Sequence, residues 1–214
     1  MVSGAHLMAF AALTFLMVVV PGPSVLFTIS RALTVGRRDA LLTVVGNALG
    51  VYTQVVAVAF GLGALVTTSA AVFTTVKIAG ALYLVYLGVQ ALRHRRKLAE
   101  AMAATVRVTP GRIFTVVRDG FVVGFANPKS IVFLAALLPQ FLDPAAGSAP
   151  AQMLVLGLCL PLIALASDTA WALVASTARA WFARSPRRLE TLGGTGGLVM
   201  IGLGATLAFT GRKD

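Results

Sequence analysis

The chain has 214 residues, 58% of them hydrophobic and 12% charged, with a formal net charge of +11 and a mean hydropathy of +0.90. A soluble domain of this size carries about 25% charged residues, so a fold covered by a water-facing surface is excluded and an all-α membrane protein is expected. A sequence pI near 11.3 would otherwise suggest a nucleic-acid partner, but membrane topology accounts for the basic residues, and no nucleic acid is expected.

Six transmembrane helices are predicted at about 5–30, 40–65, 72–92, 119–142, 151–178 and 191–211, since a span needs roughly 20 apolar residues. Residues 1–30 carry no Asp, Glu, Lys or Arg. No basic residue precedes this run, and it exceeds the roughly 7–15 residues of a signal-peptide core, so the first span is expected to stay in the mature chain. Inside it lies PGPSVLF, residues 21–27. A proline within a helix removes a backbone donor and displaces the carbonyl four residues back. The first helix is therefore expected to break there.

The second span carries Asn47 and Gln54, seven residues apart and on one face; they either bind substrate or join helices. The third carries Lys77 near its outer end, where it can reach the interface. The connection at 93–118 is the longest and holds seven basic residues. Its segment RHRRKLAEAMAA suits a short helix on the membrane surface, beside anionic lipid.

The fourth span contains NPKSIVF, residues 127–133. Aligning Ser24 with Ser130 places Phe27 on Phe133 at an offset of 106 residues, close to half of the 214-residue chain. Two three-helix repeats follow, 1–92 and 119–214, joined by 93–118. An odd number of spans per repeat inverts the second, a plan common among secondary transporters. Both Pro-broken helices would then face one cavity, lined by Pro21, Gly22, Pro23 and Ser24 and by Asn127, Pro128, Lys129 and Ser130. Half-helix ends there offer N–H groups to a carboxylate and carbonyls to an amine.

Lys129 and, in the fifth span, Asp168 lie too deep to snorkel. An intramembrane charge is by default functional and has a partner, and the two are expected either to handle substrate and proton or to pair structurally. The pairs Gly46/Gly50, Gly120/Gly124 and Gly193/Gly197 are GxxxG motifs suited to close helix packing.

Of the 18 basic residues, 14 fall in the connections after spans one, three and five. The positive-inside rule places these in the cytoplasm and both termini outside. The single cysteine, Cys159, excludes an internal disulfide, a CxxC metal site and a thiol relay. His6 and His94 lie at span ends and no G-x-S-x-G is present, so an enzyme is not expected. No G-x-x-x-x-G-K-[ST] loop is present either, so an ion gradient and not ATP is the expected energy source, and no cofactor is expected. Two classes remain: an exporter of a small zwitterion, with Asp168 carrying the coupled proton, and an exporter or channel for a metal cation or other small solute. Lys129 counts against the cation.

PGPSVLF at 21–27, GNALG at 46–50, GALYLVYLG at 80–88, NPKSIVF at 127–133 with LPQF at 138–141, and GLVMIGLG at 197–204 together make the chain resemble the lysine exporter (LysE) superfamily, and within it the homoserine/threonine efflux (RhtB) branch. The resemblance implies a six-helix inner-membrane protein that exports amino acids or their derivatives, driven by the proton gradient, with membrane lipid around it and a homodimer as its assembly. The family's motif residues carry over onto Pro21, Gly22, Pro23, Asn127, Pro128 and Lys129. Asn47 departs from the pattern, standing where many relatives have an acidic residue, which leaves Asp168 as the main acidic candidate for coupling.

Overall fold

The computed structural model describes residues 2–61, 70–103 and 110–178 continuously, together with isolated positions between 185 and 208. The described residues are all-helical. The chain order is α1 (Gly4–Val19), α2 (Pro23–Thr34), α3 (Arg37–Gly61), α4 (Ala70–Ala103), α5 (Ile113–Phe125), α6 (Pro128–Leu137), α7 (Ala149–Gly157) and α8 (Cys159–Thr177), with 3₁₀ turns at Leu138–Phe141 and Pro144–Ala146. Two helices are long and apolar enough to cross a membrane, α3 with 25 residues and Ala149–Thr177 with 29. Two bent pairs meet the same requirement when each is taken as one span: α1 with α2, bent by 48°, and α5 with Pro128–Phe141, bent by 45°. The described residues thus supply two spans, or four with the bent pairs, of the six expected. The course of the sixth predicted span, the pair Gly193/Gly197 and the side chain of Lys77 lie outside the described residues.

Both breaks fall where the prolines demand. Gly22 caps α2 with Pro23 in its first turn, and Asn127 caps α6 with Pro128 in its first turn, its side chain accepting from the Lys129 N–H. Proline suits a helix start because the missing N–H has no intrahelical acceptor there. Pro161, not singled out in the sequence, also leaves a mark: α7 and α8 meet at Leu158, yet together they form one span.

Residues 93–103 differ from expectation. They are not a separate surface helix but the last turns of α4, which runs unbroken for 34 residues. Leu, Arg, Lys, Ala, Glu and Met are all good helix formers, and the next helix breaker is Pro110.

Large apolar side chains fill one core, where Phe10 of α1 meets Phe133 of α6 and Phe141, backed by Leu134, Leu138, Met153 and Leu156. A smaller core of Val25, Ile29, Ala32, Ala40, Val44 and Ala172 joins α2, α3 and α8. Many large apolar residues face outward, Phe15, Phe60, Leu82 and Phe114 among them, as lipid contact requires.

The most extensive helix pair is α3 with α5. Its contact runs through Gly46 and Gly50 on one side and Gly120 and Gly124 on the other. A Cβ at Gly46 would meet the Val117 carbonyl and lie 2.8 Å from the Phe121 nitrogen; one at Gly124 would meet Asn47 backbone at 2.9 Å. These neighbours are backbone and cannot swing aside, so the expected GxxxG packing is present at both pairs. Gly46→Val and Gly120→Val are each expected to cost at least the upper end of the roughly 1–3 kcal/mol of ordinary overpacking. The yield of monodisperse protein in detergent should fall severalfold for both. Gly4→Val, whose Cβ meets nothing within 4 Å, should leave it unchanged.

Candidate functional site

Each proline in a helix strands a particular carbonyl, the one four residues earlier. Pro21 strands that of Met17, Pro23 that of Val19, and Pro128 that of Gly124. In hydrocarbon each needs another donor; a side chain supplies one in every case, and the Asn127 N–H also reaches the Gly124 carbonyl at 3.2 Å. Lys129 Nζ donates to the Met17 carbonyl at 2.6 Å and to that of Val20 at 2.9 Å. Trp171 Nε1 donates to the Val19 carbonyl at 3.3 Å. Gln54 Nε2 donates to the carbonyls of Gly124 (3.0 Å), Phe125 (2.6 Å) and Asn127 (3.3 Å).

The two breaks therefore meet. Asn127 Nδ2 donates to Ser24 Oγ at 3.1 Å, joining the cap of α6 to the first turn of α2. Ser130 Oγ turns back to the Asn127 carbonyl at 3.1 Å. Gly22 is buried against the Lys129 stem: a Cβ there would lie 3.0 Å from Lys129 Cδ. Of the predicted site residues, Pro21, Gly22, Ser24, Asn127, Lys129, Ser130 and Gln54 are buried here, with Pro128 half-buried and Pro23 exposed at the edge.

Asn47 and Asp168 form a second group. Asn47 Nδ2 donates to Asp168 Oδ2 at 2.8 Å, linking α3 to α8, with Asp168 only 1% exposed. Asp168 Oδ1 and Asn47 Oδ1 are buried and make no hydrogen bond among the described residues. Two acceptors in an apolar interior without a donor are costly, and they suit a proton or an ammonium group.

Asn47 and Gln54 have different tasks. Gln54 joins helices by holding the stranded carbonyls, whereas Asn47 orients the buried acid. Lys129 and Asp168 make no direct salt bridge among the described residues, although the two opposite charges are near enough to act on each other. Each is held by neutral groups, Lys129 by carbonyl dipoles and Asp168 by an amide. The physical reason is the break itself: freed carbonyls at a helix C-terminus carry partial negative charge and receive the ammonium in place of a carboxylate.

Two clefts lie among these helices, and the first reaches the Val19–Trp171 contact of the first break. One, of about 680 Å³, is an apolar groove between α1 and α8, lined by Phe15, Leu162 and Trp171 among others. The other, of about 590 Å³, separates α2 from α5. The two breaks touch through Asn127 and Ser24, and Lys129 between them is buried.

Sequence reasoning missed Trp171. Its signal was available: it lies three residues after Asp168 on the same helix face, and the i−4 rule names the Val19 carbonyl as needing a donor. The ion pair of Arg31 with Asp119, 3.0 Å apart, carried no local signal.

Residues 15–211 match the family model described as LysE type translocator. The chain is 38% identical over 189 residues to an uncharacterized membrane protein of Vibrio cholerae, the match covering 88% of this chain and 89% of that one. It is 34% identical over 188 residues to a homoserine/homoserine lactone efflux protein of Salmonella typhimurium, covering 88% of each. It is 28% identical over 198 residues to a leucine efflux protein of Enterobacter sp., covering 91% and 90%. No solved structure matches.

Proposed function

The chain belongs to the LysE family of translocators, and from that membership we propose that it exports an amino acid or small amino-acid derivative from the cytoplasm across a bacterial inner membrane by proton antiport. Six spans in two inverted repeats, 1–92 and 119–214, joined by 93–118, carry the transport, with both termini outside. The similar bends of 48° and 45° at the two proline breaks support the repeat. Relatives named for efflux of homoserine, homoserine lactone and leucine support an amino-acid-like substrate.

One observation carries the mechanism: the Lys129 ammonium rests on the carbonyls of Met17 and Val20. Those carbonyls form an ammonium site that the chain's own lysine fills. A zwitterion supplies both halves of the exchange. Its carboxylate takes Lys129, and its ammonium takes the released carbonyls, so no charge is left bare as the breaks part. Ser24, Asn127 and Ser130 lie beside that exchange and hydrogen-bond the polar backbone of the substrate. Asp168, steadied by Asn47, takes the coupled proton on Oδ1. Protonation from outside lets the repeats rock, and release inward resets them.

The test is export from cells fed dipeptides that are hydrolysed inside. Expression of this chain should raise the external appearance rate of at least one amino acid severalfold over a vector control. Rates equal to the control across the whole set of amino acids would contradict the proposal.

A further inference from the structure

The cleft of about 590 Å³ between α2 and α5 lies apart from the Lys129 and Asp168 groups. From α2 it is lined by Phe27, Ser30 and Arg31, and from α5 by Arg118, Asp119 and Val122. Its size is ordinary for a small-molecule site. Its chemistry is unusual for a surface groove, because both signs of charge meet over apolar walls. Asp119 Oδ2 accepts from Arg31 Nη2 at 3.0 Å, and its Oδ1 accepts from Arg118 Nη2 at 3.3 Å. The Arg31 guanidinium lies over the Phe27 ring, 5.3 Å from its centre, and only a fifth of the side chain is exposed.

Arg31 is incompletely used. Its Nε is buried and has no hydrogen-bond partner among the described residues. Nε and Nη2 form one edge of the guanidinium fork, an edge that fits a carboxylate with two parallel bonds. Asp119 occupies only the Nη2 end. The cleft thus holds two guanidinium groups and one carboxylate: one net positive charge, with one guanidinium donor, Arg31 Nε, buried and unpaired among the described residues.

Its place in the fold connects it to the breaks. Ser24, which accepts from Asn127, lies seven residues before Arg31 on α2, hence on the same helix face and about 10 Å away. In the topology proposed above, Arg31 and Asp119 lie at the cytoplasmic ends of their spans, on the side from which an exported solute arrives.

We propose that this cleft is a cytoplasmic receiving subsite for the zwitterion, with Arg31 binding its carboxylate through Nε and Nη2, Asp119 its ammonium, and Phe27 and Val122 its side chain. The substrate replaces the Arg31–Asp119 contact by two of the same kind, while Arg118 keeps its hold on Asp119. Opening this contact also loosens α2 from α5 on the path to Ser24 and Asn127. The proposal rests on the export reading for its direction and for its choice of ligand.

The test uses L-homoserine and its α-amide, which keeps the ammonium and lacks the carboxylate. Binding is measured on the purified full chain in nanodiscs, and uptake in inside-out vesicles. Arg31→Gln should raise the Kd and KM for homoserine about tenfold, with maximal rate within about twofold, and leave the values for the amide unchanged. Asp119→Asn should raise both ligands' values by a similar factor. The unchanged amide values report that the Arg31→Gln protein is folded. Equal shifts for the two ligands in Arg31→Gln would mark a structural clasp and overturn the subsite, as would homoserine values indifferent to Arg31. Homoserine binding that depends on Arg31, in a protein that moves no homoserine, would sink the export reading and leave the subsite standing.

Discussion

Asp168→Asn is expected to exchange amino acid across the membrane at close to the unmodified rate and to lose the ability to concentrate it. The side chain is 1% exposed, and one of its carboxyl oxygens is held by Asn47 at 2.8 Å while the other makes no bond among the described residues. An asparagine keeps the shape and resembles the protonated acid, so the repeats can still rock with substrate bound. No proton can leave it, so movement of substrate no longer draws on the gradient. One pH unit provides about 1.4 kcal/mol, a tenfold concentration ratio for a one-proton antiporter. The unmodified protein should approach that ratio in inside-out vesicles, and Asp168→Asn should stay near unity in the same preparation while counterflow persists. Uphill transport by the variant would return Asp168 to a structural role as the partner of Asn47.

Lys129→Ala carries the other large effect, and its sign is less obvious than the deep burial of a cation suggests. Removing an ammonium from hydrocarbon saves about 2.5–3.5 kcal/mol on insertion scales. It also strips the donor from the Met17 and Val20 carbonyls, and each unsatisfied group costs about 1–3 kcal/mol. These nearly cancel, so folded protein in the membrane should change by no more than a few-fold. Transport should fall by about a hundredfold, because the substrate carboxylate loses its cationic partner. Lys129→Arg should not restore it. The guanidinium is planar and forked, and Gly22 leaves room for a narrow stem only, with a Cβ there already 3.0 Å from Lys129 Cδ. Quantitative immunoblotting beside initial-rate efflux separates the two effects. Loss of protein in step with loss of transport would assign Lys129 to stability alone.

Much of this site was legible in the sequence, because proline acts locally. Pro21, Pro23 and Pro128 announce where two helices break, and the equal spacing of Ser24 to Phe27 and of Ser130 to Phe133 relates the breaks to each other. Glycines four apart announced the α3–α5 contact for a similar reason: period and size are properties of a short window. The donors to the stranded carbonyls were not legible. Gln54 reaches Gly124 across 70 residues and Trp171 reaches Val19 across 152, distances over which only packing decides. Charge alone related Lys129 to Asp168, and the two do act on each other, but the carbonyls of Met17 and Val20 that hold the ammonium directly were not legible. Arg31 and Asp119, 88 residues apart, meet beside one cleft through packing alone. The basic stretch after the third span was misjudged for another reason. Charge suggested a surface segment, while helix propensity carried α4 straight through it.

The central claim is that amino-acid movement and proton movement are one process, joined at Asp168. The most direct measurement uses proteoliposomes loaded with amino acid and a trapped pH dye, with potassium and valinomycin to clamp the membrane potential. The account predicts that the lumen acidifies as amino acid leaves, in fixed proportion to the amount released, and that Asp168→Asn releases no acid while still exchanging amino acid. Amino-acid efflux by the unmodified protein with no change in lumenal pH would contradict it.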